Sequence, residues 1–173
     1  IADTTVGGVL AMNINLTAKE RTLLEDQKSH EEICIQKYSN YANMVSDPQL
    51  KEMFKNHANI EQQHLNSINQ LLSGQMPGVG GPQSGGVGSS WPNQSLVNYR
   101  SQGSFSANRA SDKDLCTDML MTEKYVSGAY DTAIFEFKDP QVRDVLNHIQ
   151  KEEQKHGEAI FKYMESKGMY TPR

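Results

Sequence analysis

Cysteine is scarce, with only Cys34 and Cys116 in 173 residues. Two cysteines make no disulfide framework, and their spacing fits no zinc motif. They are expected as small apolar core residues rather than as an interhelix disulfide. No apolar run approaches the ~20 residues needed for a membrane span. Lys and Arg form no block and the formal net charge is −4, which argues against nucleic acid as a partner. The start of the chain, Ile1 to Asn15, is apolar and contains Gly but has no basic stretch before it, so it is not expected to be a signal peptide. Aromatics are few, at 8%, and eight Met are available to help fill a core. A chain of this length is expected to form one domain, residues 1–173, and is too short for two.

Four helical segments are predicted. Thr17-Ala18-Lys19-Glu20 matches a capping box and opens a helix over 17–45. Asp47-Pro48 supplies a cap and a first-position proline for a helix over 48–72, stopped by Ser73-Gly74. Residues 74–110 are dominated by Gly, Ser, Pro, Asn and Gln and hold the one Trp, Trp91, which marks a long linker. Ser111 restarts helix over 111–138. Asp139-Pro140 repeats the earlier cap for a helix over 140–167, with Gly168 as its stop. Short connections make two antiparallel hairpins, and the long one joins them. That is the connectivity of an all-α, ferritin-like four-helix bundle rather than an up-down-up-down one. Two hairpins on a tether would each bury too little to stand alone.

The two halves repeat. A shift of 92 residues lays Asp47-Pro48-Gln49 on Asp139-Pro140-Gln141, Glu61-Gln62-Gln63-His64 on Glu153-Gln154-Lys155-His156, Glu31 on Glu123 and Tyr38 on Tyr130. A Glu and a His three apart share one helix face and can bind one ion. One such pair in a polar helix is usually solvated; two in register, each with a Glu on the partner helix, point to a dimetal site. The expected metal set is Glu31, Glu61, His64, Glu123, Glu153 and His156. Glu61-His64 would hold one ion and Glu153-His156 the other, with Glu31 and Glu123 completing or bridging. Glu32 competes with Glu31, but the helical neighbours of Glu31 include Leu24, Cys34, Ile35 and Tyr38, whereas those of Glu32 are polar. Burying four lone carboxylates together is prohibitive unless cations neutralise them. Mixed oxygen and nitrogen donors suit two divalent ions of Fe or Mn, or else Zn, and not Ca or Mg.

Tyr38, Tyr130 and His57 are candidates for bracing the ligands from behind. Each Tyr could bond a ligand carboxylate or serve in redox, or could be a core aromatic with its hydroxyl satisfied. His30 and His148 are expected at the surface.

Asp112 to Leu115, Thr122-Glu123-Lys124, Asp139 to Arg143 and Tyr163 to Tyr170 resemble the spore coat F family, as do Tyr41-Ala42-Asn43 and Asp47 to Leu50 of the first hairpin. The likeness covers both hairpins and excludes the linker and the start of the chain. It implies a ferritin-like fold and a place in the coat of bacterial endospores, after synthesis in the cytoplasm of the sporulating cell. The six candidate ligands are similar to those of rubrerythrin-like and ferritin-like dimetal proteins. Oxidase, peroxidase or metal-handling activity is then one expectation; a structural coat protein with a structural or empty site is the other. Expected partners are metal ions, other coat proteins and a second copy in a homodimer. No Cys-x-x-Cys pair exists, so any electron donor would be a separate protein.

Overall fold

The computed structural model describes residues 14–78 and 110–171. Residues 79–109, the body of the expected linker with Trp91, and residues 1–13 lie outside the described part. Four helices make up the described chain: α1 (Ala18–Ala42), α2 (Pro48–Leu72), α3 (Asp112–Ile134) and α4 (Pro140–Ser166).

Each helix begins where a short polar side chain can accept an orphan backbone N–H. Thr17 and Glu20 form a reciprocal capping box on α1, and Ser111 and Asp114 do so on α3. Asp47 and Asp139 accept the N–H of Gln49 and Gln141, with proline in the first turn of α2 and α4. A cap of this kind stabilises by about 1 kcal/mol. Two helices stop on glycines with φ of 82° (Gly74) and 66° (Gly168). After each, the chain turns back so that Gln75 N–H bonds Gln70 O and Met169 N–H bonds Met164 O. A side chain at either glycine would have to occupy the left-handed region, at about 1–2 kcal/mol.

The other two helices end earlier than the hydrophobic pattern predicts. α1 stops at Ala42 rather than Val45, because Asn43 N–H reaches the third carbonyl back and the next two N–H groups share Tyr41 O. α3 stops at Ile134 rather than Lys138. Phe137 leaves the helical path to bury its ring, and the Arg143 guanidinium takes up the carbonyls of Phe137 and Lys138 at 2.7 and 2.9 Å.

Buried positions recur at alternating steps of four and three. On α2 they are Leu50, Phe54, His57, Glu61, His64, Ile68 and Leu71. That spacing is the seam of a bundle whose helices cross at about 20°. α1 packs on α2 and α3 on α4, and the hairpins meet through α1 on α3 and α2 on α4. Every one of those seven α2 positions, moved on by 92, is buried on α4. The 92-residue repeat is thus a repeat of the packing.

The apolar core is in two parts. One holds Leu24, Ile68, Val126, Leu146 and Ile149; the other holds Phe54, Leu115, Met119, Ile160 and Met164. Cys34 and Cys116 are buried, unpaired thiols, one in each part. The repeat carries Ile68 of the first part onto Ile160 of the second, so a pseudo-twofold exchanges them. Polar side chains lie between the two parts.

An acid ties each hairpin to the turn of the other. Glu20 accepts Lys138 N–H at 3.0 Å, and Asp112 accepts the N–H groups of Ser46 and Asp47 at 2.8 and 3.0 Å. Glu20 falls on Asp112 under the same 92-residue shift. α3 therefore starts beside the end of α1, and the connection from α2 leaves at one end of the bundle and returns at the other.

Candidate metal centre

The polar layer between the two apolar clusters is made by one residue of α1, one of α3 and a Glu-x-x-His pair from each of α2 and α4. Glu31, Glu61, His64, Glu123, Glu153 and His156 are all buried, and Glu31, Glu61 and Glu153 have no exposed surface. Glu32 is exposed, in keeping with its polar face.

The six residues form two overlapping groups. Glu31, Glu61, His64 and Glu153 each place one donor atom within 4.8 Å of the others; so do Glu61, Glu123, Glu153 and His156. Glu61 and Glu153 belong to both groups, whereas Glu31 and Glu123 belong to one each. His64 Nδ1 lies 3.1 Å from Glu61 Oε2, 3.0 Å from Glu153 Oε1 and 3.7 Å from Glu31 Oε2. His156 Nδ1 lies 2.9 Å from Glu61 Oε1 and 3.6 Å from Glu123 Oε1. Both imidazoles therefore turn Nδ1 toward the acids.

The two tyrosines cross between hairpins. Tyr38 of α1 donates its hydroxyl to Glu123 Oε1 on α3, and Tyr130 of α3 donates to Glu31 Oε1 on α1. Both rings are also fully buried in the core. Each bond occupies one carboxylate oxygen and leaves the other, Oε2 in both cases, without a partner. His57 stacks on His156 with ring centroids 4.1 Å apart and lies outside both donor groups. His148 is exposed, while His30 is half-buried against Tyr125.

Several donors have lone pairs with nothing to match them. Glu31 Oε2, Glu123 Oε2 and both oxygens of Glu153 are buried without a hydrogen bond; His64 Nδ1 is near Glu153 but not in bonding geometry. An orphaned buried acceptor costs roughly 1–3 kcal/mol, and more when charged. Burial pushes the Glu31 carboxyl up to about 7, against the pull of His64. Burial also drives Glu153 well above the usual carboxylate range, helped by the charge of Glu61. Glu61 is the opposite case. Burial would raise it, but hydrogen bonds from His156 and His64 hold it far below the usual range. Burial opposes charge on His156 too, yet its acidic neighbours lift it to about 9. His57, buried and next to His156, is pushed down to about 3 and is neutral.

The donor set fits a pair of divalent cations. Four carboxylates balance two such ions in charge, several of their oxygens are buried without a partner, and hard oxygen with imidazole nitrogen is the mixture for Fe, Mn or Zn.

Sequence reasoning misses the two acids that tie the hairpins together, Glu20 and Asp112. The 92-residue register lays one on the other and was the available signal. It also misses Gly157, which borders the site.

The Coat F domain matches residues 111–173, the second hairpin and the end of the chain. No curated protein matches the chain by sequence. Solved structures do match in fold. A two-domain protein from Anabaena variabilis, with DJ-1/ThiJ/PfpI-like and ferritin-like domains, superposes with a TM-score of 0.65 at 13% identity. That match covers 92% of this chain and 40% of the Anabaena one, so this chain spans well under two thirds of that protein. A dodecameric thioferritin, the bacterioferritin-related protein of Bacteroides fragilis, gives 0.63 at 20% identity over 90% of this chain and 89% of that one. Mycobacterium smegmatis Dps gives 0.61 at 13% identity over 95% and 94%. The chain thus has the fold of the ferritin-like proteins, and its residues 111–173 match the Coat F domain.

Proposed function

We propose that this is a spore-coat-associated protein that binds a dinuclear Fe or Mn centre between its helices. The observation that carries this reading is the convergence of four buried carboxylates and two imidazoles, with oxygens of Glu31, Glu123 and Glu153 left without a partner. Glu31 and His64 would complete one ion, and Glu123 and His156 the other. Glu61 and Glu153, common to both donor groups, would bridge. Tyr38 and Tyr130 would hold the two terminal carboxylates in place.

Bound Fe or Mn would supply redox and Lewis-acid chemistry, so any enzyme here would be a di-iron or di-manganese oxidoreductase. The chain's own part is to orient donors and exclude bulk water: the apolar clusters close the layer above and below. The coat location rests on the Coat F match. Exposed Ile33, Met121 and Tyr125 lie together on the α1–α3 face, which supports contact with a second copy or with other coat proteins.

Elemental analysis by plasma mass spectrometry tests the centre. About two Fe or Mn per chain in the wild type, lost in Glu61→Ala/Glu153→Ala with the helices retained, is the expected result. A second reading, a purely structural coat protein with an empty site, is favoured by one observation. Protons on Glu31, Glu153 and the imidazoles can themselves offset the buried charge. Metal content that added Fe or Mn does not raise would establish that reading instead.

A further inference from the structure

The pseudo-twofold is broken beside the centre. On the α3–α4 side lies a groove of about 470 Å³ whose lining includes Glu123 and Glu153. Gly157 and Ser127 line it too, together with apolar Leu120 and Phe161. In the first hairpin the equivalent positions, 92 residues earlier, carry Leu65 and Ile35. A Cβ on Gly157 would stand 3.7 Å from Leu120 Cδ1 and 3.9 Å from Glu123 Cβ, so this glycine is what keeps a side chain out of the gap. Glu123 and Glu153, which border it, carry the unpartnered oxygens Oε2 of Glu123 and both of Glu153, all of them shielded from solvent.

Size and charge indicate what the groove would carry. A water occupies about 30 Å³ of liquid, so a divalent ion with six waters needs about 180 Å³ and fits. Glu158 at the rim is paired with Lys162, and beyond Lys124 the lining offers the carboxyl oxygens of Glu123 and Glu153, donors that suit a cation rather than an anion.

We propose that this groove is the one-sided entry route by which divalent cations reach the centre, held open by Gly157. The proposal rests on the dimetal reading and deepens it. Both ions enter past Glu153, which belongs to both donor groups, and the α1–α2 side takes no part.

The test is the rate of Co(II) uptake by the metal-free full chain, followed by stopped-flow visible absorption, with the stoichiometry read at equilibrium. Gly157→Leu, which copies the first hairpin, is expected to slow uptake at least tenfold while the final two Co(II) per chain are unchanged. Gly157→Ala adds a methyl at ordinary contact distance and tolerates the helix better than glycine does, so it guards against misfolding; it is expected to slow uptake severalfold. Wild-type rates in both variants, with two Co(II) bound, would overturn the route and leave the centre standing. No Co(II) uptake by the wild type would overturn the centre and the route with it.

Discussion

At the scale of single residues, the tyrosine–carboxylate crossings decide how well the centre is ordered. Tyr130 to Glu31 and Tyr38 to Glu123 join α1 and α3 where those helices carry one candidate ligand each. Removing the hydroxyl frees the carboxylate to rotate and leaves one more buried oxygen unmatched. Tyr130→Phe is expected to weaken metal binding about tenfold or more, as loss of a partner behind a ligand commonly does. Competition titration against a chelator measures it, and unchanged affinity would assign Tyr130 to packing alone. Asp47 offers a pH readout away from the centre. Its carboxyl accepts from Lys167, Gln49 N–H and Tyr163, and these hold it at about 2 against the ordinary 3.8. A depressed carboxyl contributes stability that is full above about pH 4 and is lost as pH falls toward 2. The stability gap between wild type and Asp47→Asn, from urea unfolding, should therefore narrow across that window; a constant gap would show that the charge contributes nothing.

At the scale of elements, the acids that reach across hairpins do more than cap. Glu20→Ala removes a capping-box partner of α1 and the acceptor for Lys138 N–H. Asp112→Ala removes the acceptor for two N–H groups of the α1–α2 turn. Each is expected to cost about 1–2 kcal/mol in urea denaturation. The double variant should be additive within about 0.5 kcal/mol, since the two contacts share no partner. Much of the element-level plan is legible in the sequence, because capping boxes, Asp-Pro turns and terminal glycines are local signals. Helix ends at Ala42 and Ile134 are not, since groups of other elements take up the backbone just beyond them: Arg143 of α4 collects the carbonyls after α3, and Asp112, distant in sequence, the N–H groups of the turn after α1. The candidate site shows the same division. Its six members follow from facing and register, one helix at a time. Which carboxylates sit between the two donor groups depends on how far each hairpin leans on the other, and the sequence carries no local sign of that.

At the scale of the whole molecule, the polar layer divides the core, so metal should matter for the stability of the entire bundle. A ligand that binds only the folded state, at a hundred times its Kd, adds about 2.7 kcal/mol. For a domain of this size that is a rise in Tm of about 5–10 °C. Calorimetry of the chain with Mn(II) and after chelation is expected to show it. Identical melting would mean that the two apolar clusters and their charge-balancing protons hold the bundle unaided.

The pseudo-twofold also describes how such a chain could be assembled from less. A single hairpin meeting a copy of itself would supply two Glu-x-x-His pairs, two more acids, two crossing tyrosines and both reciprocal clamps. Joining the copies in one chain turns a meeting of strangers into an intramolecular event. It also releases each half from having to match its own image. Position 157 against position 65 is one place where the halves differ, glycine on one side and leucine on the other. Two identical hairpins would carry two such grooves or none; a single chain with unlike halves can carry one.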